Sequence, residues 1–285
     1  MNYPPFAVTV DIALFTIEDD TFKILLIERG GDPYRGDLAL PGGFVLPDED
    51  LEAAAARELE EETGLAEGSW HLEQLAAYGD PARDPRMRTV TVAFWAITAG
   101  LPRPRGGGDA AAAHLVPVDG IESGDLRLAF DHDRIVGDAV KRIRSRLETT
   151  TIAAQFCPPA FTVAELRRVY ETIWNTPLDP GNFQRFVRDS GVFRPAPSGG
   201  PGALAAPSSV ALESAPSLER LESGQEVMRR AIDDAESAPS SDAEPSMDLS
   251  GPRQQRRGRP ASRWMVPEGR PRLLARPLRR KTGDP

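Results

Sequence analysis

The chain has 285 residues, 40% of them hydrophobic, and a formal net charge of −9. That is enough for one or two domains with cores, and the acidic balance excludes a global basic field, so any nucleic-acid contact needs a local patch. The single cysteine, Cys157, excludes an internal disulfide framework and fits a reducing cytosol; with no leader-like N-terminus and no 18-residue apolar run, the expectation is a soluble cytoplasmic protein with no membrane partner.

Residues 8–17 alternate loosely between apolar and polar and read as a strand, with Asp11 inside it. An acidic turn at 18–20 leads to a second strand over 22–29, completing a hairpin. A Gly- and Asp-rich loop follows, and a short strand at 38–41 delivers Gly42 and Gly43. Two glycines there permit a sharp turn and close backbone approach to a ligand.

The next stretch, 43–65, reads as a loop and one helix. Asp50 is placed to cap it, 51–63 holds no Gly or Pro, and Gly64 sits at the expected left-handed stop. Glu58, Glu61 and Glu62 fall at i, i+3 and i+4 on one face, while Ala56, Leu59 and Thr63 point away and can meet a core. Stacked carboxylates repel one another, but hard oxygen ligands suit Mg²⁺ or Mn²⁺ in company with substrate phosphates. A Glu-rich run is ordinarily a solvated face; here the wider spacing decides otherwise. Gly43, Glu49, Arg57, Glu58, Leu59, Glu61, Glu62, Gly64 and Leu65 fit the pattern G-x5-E-x7-R-E-U-x-E-E-x-G-U without exception, U being aliphatic. The segment resembles the signature of the Nudix hydrolases. The resemblance implies an α/β/α sandwich that hydrolyses a nucleoside diphosphate linked to another group. It also implies divalent metal on Glu58, Glu61 and Glu62, with the backbone around Gly43 close by. Arg57 would pair with Glu49 to position the loop, and Gly42 would lie against the substrate.

Strands are expected at 70–78, 88–97 and 114–118, the second β-branched and nearly continuous as in a buried strand. Apolar residues at 135, 136, 139, 140, 143 and 147 mark a helix, and a first domain spans 1–148. Between strands lies D-P-A-R-D-P-R-M-R, residues 80–88. It is either a solvated turn or an arginine cluster, Arg83, Arg86 and Arg88, able to fork onto diphosphate or ribose oxygens; Arg29 is a further candidate. Its wording, like L-A-F-D-H at 128–132 with His132, resembles the Nudix branch that handles ADP-ribose. The general base is open among Asp109, Glu122 and Asp125. Cys157, before two prolines, reads as structural.

A helix around 152–156 or the pair Pro158–Pro159 begins a second domain. Thr162 and Glu165 form a capping box, Phe161 and Leu166 its hydrophobic staple, and Leu166, Val169, Tyr170, Ile173 and Trp174 one stripe. After a turn at 175–178, Asp179-Pro180 restarts a helix. It buries Phe183, Phe186 and Val187, shows Asn182, Gln184, Arg185 and Arg188 outward, and ends at Gly191. The pair is an ordinary helical hairpin or a DNA-reading helix-turn-helix. Val192–Pro195 and, far downstream, a basic turn with Arg257 and Arg259 followed by W-M-V look like two wing strands.

Over 1–196 and 255–266 the chain resembles the Nudix-related transcriptional regulators of NAD metabolism. The resemblance implies a Nudix domain that senses ADP-ribose or a related NAD derivative, sometimes without hydrolysis, and a winged helix (149–197 plus 255–267) that binds operator DNA as a homodimer. DNA contacts would come from Asn182, Arg185, Arg188, Arg257 and Arg259. Residues 198–254 are rich in Pro, Ser, Ala, Gly and acids and read as a disordered insert in the wing; its charge should be repelled by phosphates. Residues 268–285 read as a disordered basic tail, able to contact phosphates or fold back on the insert. The first functional expectation is Mg²⁺-dependent hydrolysis of an ADP-ribose-like diphosphate coupled to DNA binding. The alternatives are an idle ADP-ribose sensor acting only as a repressor, or a plain ADP-ribose pyrophosphatase.

Overall fold

A computed structural model describes residues 5–65, 70–101, 113–196, 262–267, 271–274 and 277–278. Its centre is β1 (Ala7–Glu18), buried almost continuously from Val10 to Thr16 because both its faces are covered. Along one side it runs parallel to β6 (Thr89–Ile97), which is itself flanked by antiparallel β5 (His71–Tyr78). The other side of β1 is shared. Residues 14–18 pair with β2 (Thr21–Glu28), and residues 9–11 pair with β4 (Gly42–Phe44). β3 (Leu38–Ala39) and β7 (Ala113–Pro117) pair with β2. The chain at 38–44 therefore crosses from β2 to β1, bonding Ile12 N–H to Pro41 O (2.8 Å) on the way. The sheet forks at that crossing. Gly42 and Gly43, expected at a sharp turn, instead form a ladder with Val10 and Asp11 through their backbone.

Helices cover both faces. α1 (Leu51–Thr63) lays Ala54, Ala55 and Leu59 on Val10, Ile12, Leu14, Val92 and Phe94. Of the three residues expected to face a core, Leu59 does, whereas Ala56 and Thr63 are only half-buried. The cap is as anticipated: Ala53 N–H donates to Asp50 Oδ1 (2.8 Å), and Gly64 turns left-handed at φ 69°. On the opposite face α3 (His132–Thr149) buries Ile135, Val136, Ala139, Val140, Ile143 and Leu147 on Ala13, Phe15, Ile24 and Trp95. At about 1.5–3 kcal/mol per fully buried aliphatic side chain, this stripe is a principal source of stability. A short helix, α2 (Val118–Glu122), precedes it.

The second module grows out of the same core. A 3-10 turn, Thr151–Phe156, brings Phe156 against Phe22 (ring centroids 6.1 Å). α4 (Val163–Trp174) opens with the capping box expected from sequence, Thr162 N–H to Glu165 Oε2 (2.6 Å) and Glu165 N–H to Thr162 Oγ1 (3.1 Å). Its stripe joins the α3 side of the core without a break. α5 (Pro180–Asp189) is capped by Asp179 and buries Phe183 and Val187. β8 (Phe161–Thr162), β10 (Arg263–Met265) and β9 (Arg194–Pro195) then form an antiparallel sheet in that order, with Trp264 opposite both Phe161 and Pro195. Mixed α/β sandwich followed by winged helix is therefore the architecture. The insert expected at 198–254 lies outside the described residues.

Part of the supposed tail is held in place. Thr151 N–H donates to Arg272 O (2.9 Å), Leu274 N–H to Thr149 O (2.8 Å) and Leu278 N–H to Glu148 O (2.9 Å). Leu274 is buried in the core that both modules share. Leu274→Ala should cost about 2–5 kcal/mol in urea unfolding, whereas Leu273→Ala, at a side chain 74% exposed, should stay within about 0.5 kcal/mol. Equal effects of the two would show that this strap does not hold the fold.

Candidate functional site

The signature residues gather where the sheet forks. Arg57 is the organiser. Its guanidinium forks onto Glu49, with Nε to Oε2 at 3.0 Å and Nη2 to Oε1 at 2.7 Å. Nη2 also donates to Phe44 O (3.2 Å), and Nη1 reaches Glu58 (2.8 Å) and Glu61 (3.3 Å). One planar cation thus ties the end of β4, the loop before α1 and the acidic face of the helix together. The hydrogen bond from Arg57 holds the Glu49 carboxyl below its usual range.

Close approach demands glycine at 42, where backbone blocks a Cβ, while Gly43 lies against the movable end of the Glu58 side chain. A Cβ on Gly43 would lie 2.2 Å from Glu58 Oε1, and one on Gly42 would lie 2.1 Å from Val10 O with φ at 152°. Gly42 N–H donates to Glu62 Oε2 (3.0 Å). Glu62 is half-buried, and that burial pushes its carboxyl up to about 8, with Glu58, Asp11 and Glu61 adding repulsion against the Gly42 hydrogen bond. Glu61 is exposed. Three hard carboxylates beside a backbone that admits no Cβ form a donor set that fits a divalent ion. In this arrangement Glu58 and Glu61 turn to Arg57, and among the described residues no three acidic, His or Cys side chains converge on one point.

Beside them a cavity of about 230 Å³ is lined by residues including Asp11, Arg29, Gly43, Arg86, Phe130 and His132. Arg83, expected as a ligand-gripping residue, is buried and committed. Nη2 pairs with Asp11 Oδ2 (3.1 Å) and Asp131 Oδ1 (2.8 Å), while Nε reaches Asp131 Oδ2 (3.2 Å). Burial alone would ease its proton off; Asp131 and Asp11 outweigh that and hold the charge. Arg86 forks onto Asp84 (2.7 and 3.0 Å) yet keeps a half-exposed edge toward the cavity. Arg29 bonds Pro33 O (3.0 Å) and lies over the Phe130 ring (4.6 Å). Burial and the neighbouring Arg86 lower its proton affinity. Arg88 stands outside the cavity lining, bonded to Asp80 O (3.1 Å) and stacked on Phe6.

His132 is buried and neutral. Its Nδ1 accepts from Leu40 N–H (2.9 Å), Nε2 faces Asp11 at 3.6 Å, and burial lowers its proton affinity. Of the candidate bases, Glu122 is taken by Arg144 (2.6 and 2.8 Å), Asp125 bonds Ser123 (2.7 Å), and neither lines the cavity. α2 and the turn that follows it carry both away from the cavity. Asp109 lies outside the described residues. Sequence reasoning gave no role to Asp11, although a lone acid in an apolar strand is a usable signal, because buried charges occur where they are paired. It also passed over Tyr34, and within the L-A-F-D-H stretch it singled out His132 rather than Phe130. Burial keeps Cys157 inert, its thiol pushed up to about 12.

On the second module, Asn182, Gln184, Arg185 and Arg188 are all exposed on α5, opposite buried Phe183 and Val187. Arg185 is hydrogen-bonded to Asn182 one turn away. Arg257 and Arg259 lie outside the described residues. No helix among the described residues is long and apolar enough to cross a membrane.

The raised Glu62 carboxyl sets a pH dependence. Its folded value of about 8 lies above the ordinary 4.5, so the folded state holds the proton more tightly. The cost is absent below about pH 4.5, grows between there and 8, and is complete above. In chelator-treated protein, Glu62→Gln should therefore be more stable than wild type by a margin that widens up to about pH 8. A margin independent of pH in thermal melts would contradict the assignment.

Known proteins align with both modules. A family model described as the NUDIX domain matches residues 5–138, and one described as the NrtR DNA-binding winged helix domain matches 153–198. The ADPR responsive transcriptional repressor NtrR of Acinetobacter baylyi is 35% identical over 193 residues, covering 67% of this chain and 76% of that protein. The ADP-ribose pyrophosphatase of Methanocaldococcus jannaschii is 39% identical over 125 residues, 44% of this chain and 69% of that protein. The crystal structure of Shewanella oneidensis NrtR complexed with a 27mer DNA shares the fold, with a TM-score of 0.63, 23% identity, and coverage of 95% and 99% of the two chains. With a complete signature at the sheet fork and a winged helix on the same core, the chain belongs to the NrtR family of Nudix-domain proteins with a DNA-binding winged helix.

Proposed function

We propose that this protein is an ADP-ribose-responsive transcriptional repressor: the cavity beside the Nudix helix takes the nucleotide, and α5 reads operator DNA. The observation that carries the reading is the exposed row Asn182, Gln184, Arg185 and Arg188 on a helix packed into the core that also floors the cavity. The 35% identity to a repressor of that description supports it across both modules. DNA readers of this class dock as dimers on paired half-sites, so the functional unit is a homodimer.

Within the cavity we assign Arg29 and Arg86 to the ligand's phosphate oxygens, with the Gly42 and Gly43 backbone alongside. Arg83, bound to two aspartates, positions rather than grips, and Arg88 takes no direct part. Glu58, Glu61 and Glu62 would hold Mg²⁺ or Mn²⁺, with Arg57 and Glu49 keeping the loop in register. When bound, the ion would polarise the diphosphate and acidify a water. Hydrolysis to AMP and ribose 5-phosphate is the second reading, favoured by the complete carboxylate set and by the 39% identity to an ADP-ribose pyrophosphatase. It is secondary because the relative spanning both modules is named as a repressor.

Operator sites selected from random duplex DNA provide the test. Arg185→Ala and Arg188→Ala should each weaken binding and lower the salt slope by about 1, and ADP-ribose should shift the affinity of wild type. Unchanged DNA binding in both variants would remove α5 as the reader. Indifference to ADP-ribose would remove the sensor. In parallel, Glu62→Gln should abolish any Mg²⁺-dependent turnover; turnover near that of wild type would discard the metal assignment.

A further inference from the structure

The cavity described so far is too small for a whole dinucleotide-like ligand. Pockets for ligands of that size run roughly 300–1,000 Å³, against about 230 Å³ here. A second cavity of about 290 Å³ adjoins it, sharing Arg83 and Phe130 and lined otherwise by Tyr34, Asp80, Ala82, Asp131 and Arg134. Together the two fall within the range.

Between them stands an aromatic shelf. Tyr34 meets Phe130 edge-on with ring centroids 4.8 Å apart. Both residues sit in the left-handed backbone region, at φ 66° and 57°, where bulky side chains are rare. Phe130 has a core task, packing on Ile27, Ala39 and Ala129. Tyr34 has none: it is 40% exposed, and Phe130 is its ring partner. Arg29 and Arg86 approach the same Phe130 ring at 4.6 and 5.8 Å, so the cationic groups and the 40% exposed Tyr34 have Phe130 as a common neighbour.

We propose that the Tyr34–Phe130 shelf seats the planar base of a nucleoside diphosphate, the phosphates lying across Phe130 against Arg29 and Arg86. The proposal rests on reading the first cavity as the nucleotide site, and it assigns the second cavity to the base. Aromatic rings bind bases through their π-faces, and a tyrosine brings a large rigid surface at small entropic cost. The simpler account, that Tyr34 only shields Phe130 from water, predicts a different response to substitution.

Calorimetric titration of the full chain with ADP-ribose, AMP and ribose 5-phosphate, with chelator and again with Mg²⁺, separates the two. Tyr34→Leu keeps an apolar shield and loses the ring, so ADP-ribose and AMP should weaken roughly five- to hundredfold while ribose 5-phosphate, lacking a base, is unmoved. Tyr34→Phe should bind all three as wild type does. If Tyr34→Leu takes AMP and ADP-ribose normally while Arg29→Ala loses them, the shelf is not the base seat, although the phosphate site stands. A parallel loss of ribose 5-phosphate in Tyr34→Leu would also overturn the proposal, by making the residue structural. If wild type binds none of the three ligands, the nucleotide reading itself fails and the shelf with it.

Discussion

The buried guanidinium of Arg83 is the joint on which the arrangement turns. It joins the central strand through Asp11 and the start of α3 through Asp131. A charge with a side chain only 4% exposed is tolerable when carboxylates pair with it, as Asp11 and Asp131 do here. Remove either aspartate and the guanidinium keeps one carboxylate but loses charge-assisted hydrogen bonds, a change of the kind that costs about 1–3 kcal/mol. This joint holds the floor of the cavity in a single geometry. It also explains why three arginines within six residues divide their labour: one is structural, one faces the cavity and one lies outside it.

α3 leads away from that joint into the second module. It begins at the cavity with His132 and runs to Thr149, and on the way Arg144 Nε donates to Ile173 O of α4 (3.2 Å). The winged helix does not hang from a linker. Tyr170, Trp174 and Phe156 belong to the same packed cluster as Phe15 and Trp95. Close-packed cores transmit strain, so the cavity beside Arg83 and the helix α5 share a mechanical frame. The Tyr34–Phe130 shelf adjoins the same joint, because Phe130 directly precedes Asp131.

What could be read from the sequence was what local chemistry decides. The caps at Asp50, Thr162 and Asp179, the left-handed Gly64 and the outward face of α5 all follow from residue type and helical period, and all are present. The carboxylate signature survives because its spacing is itself the geometry of one helix and one turn. Contacts set by tertiary crossing were not legible. Nothing adjacent in sequence says that Arg83 will meet Asp11 and Asp131, or that Tyr34 will meet Phe130. The strap at 271–274 was missed for a related reason. Its Leu273–Leu274 pair is short and sits among Arg and Pro, yet one leucine is buried in a core assembled mostly from residues more than a hundred positions earlier.

The wing strands β9 and β10 are hydrogen-bonded neighbours, but residues 196–262 separate them along the chain. Closing a loop becomes costlier only logarithmically with length, about 0.6 kcal/mol per doubling. Lengthening a turn of about four residues to this connection is roughly four doublings, or about 2–3 kcal/mol. Burying one large aromatic side chain is worth a comparable amount, and Trp264 packs against the shared core at that place. The wing is therefore a position where the chain can grow without dissolving the sheet. It is also where closure comes late: α4 and α5 are held by local contacts, whereas β10 pairs with strands far from it in sequence.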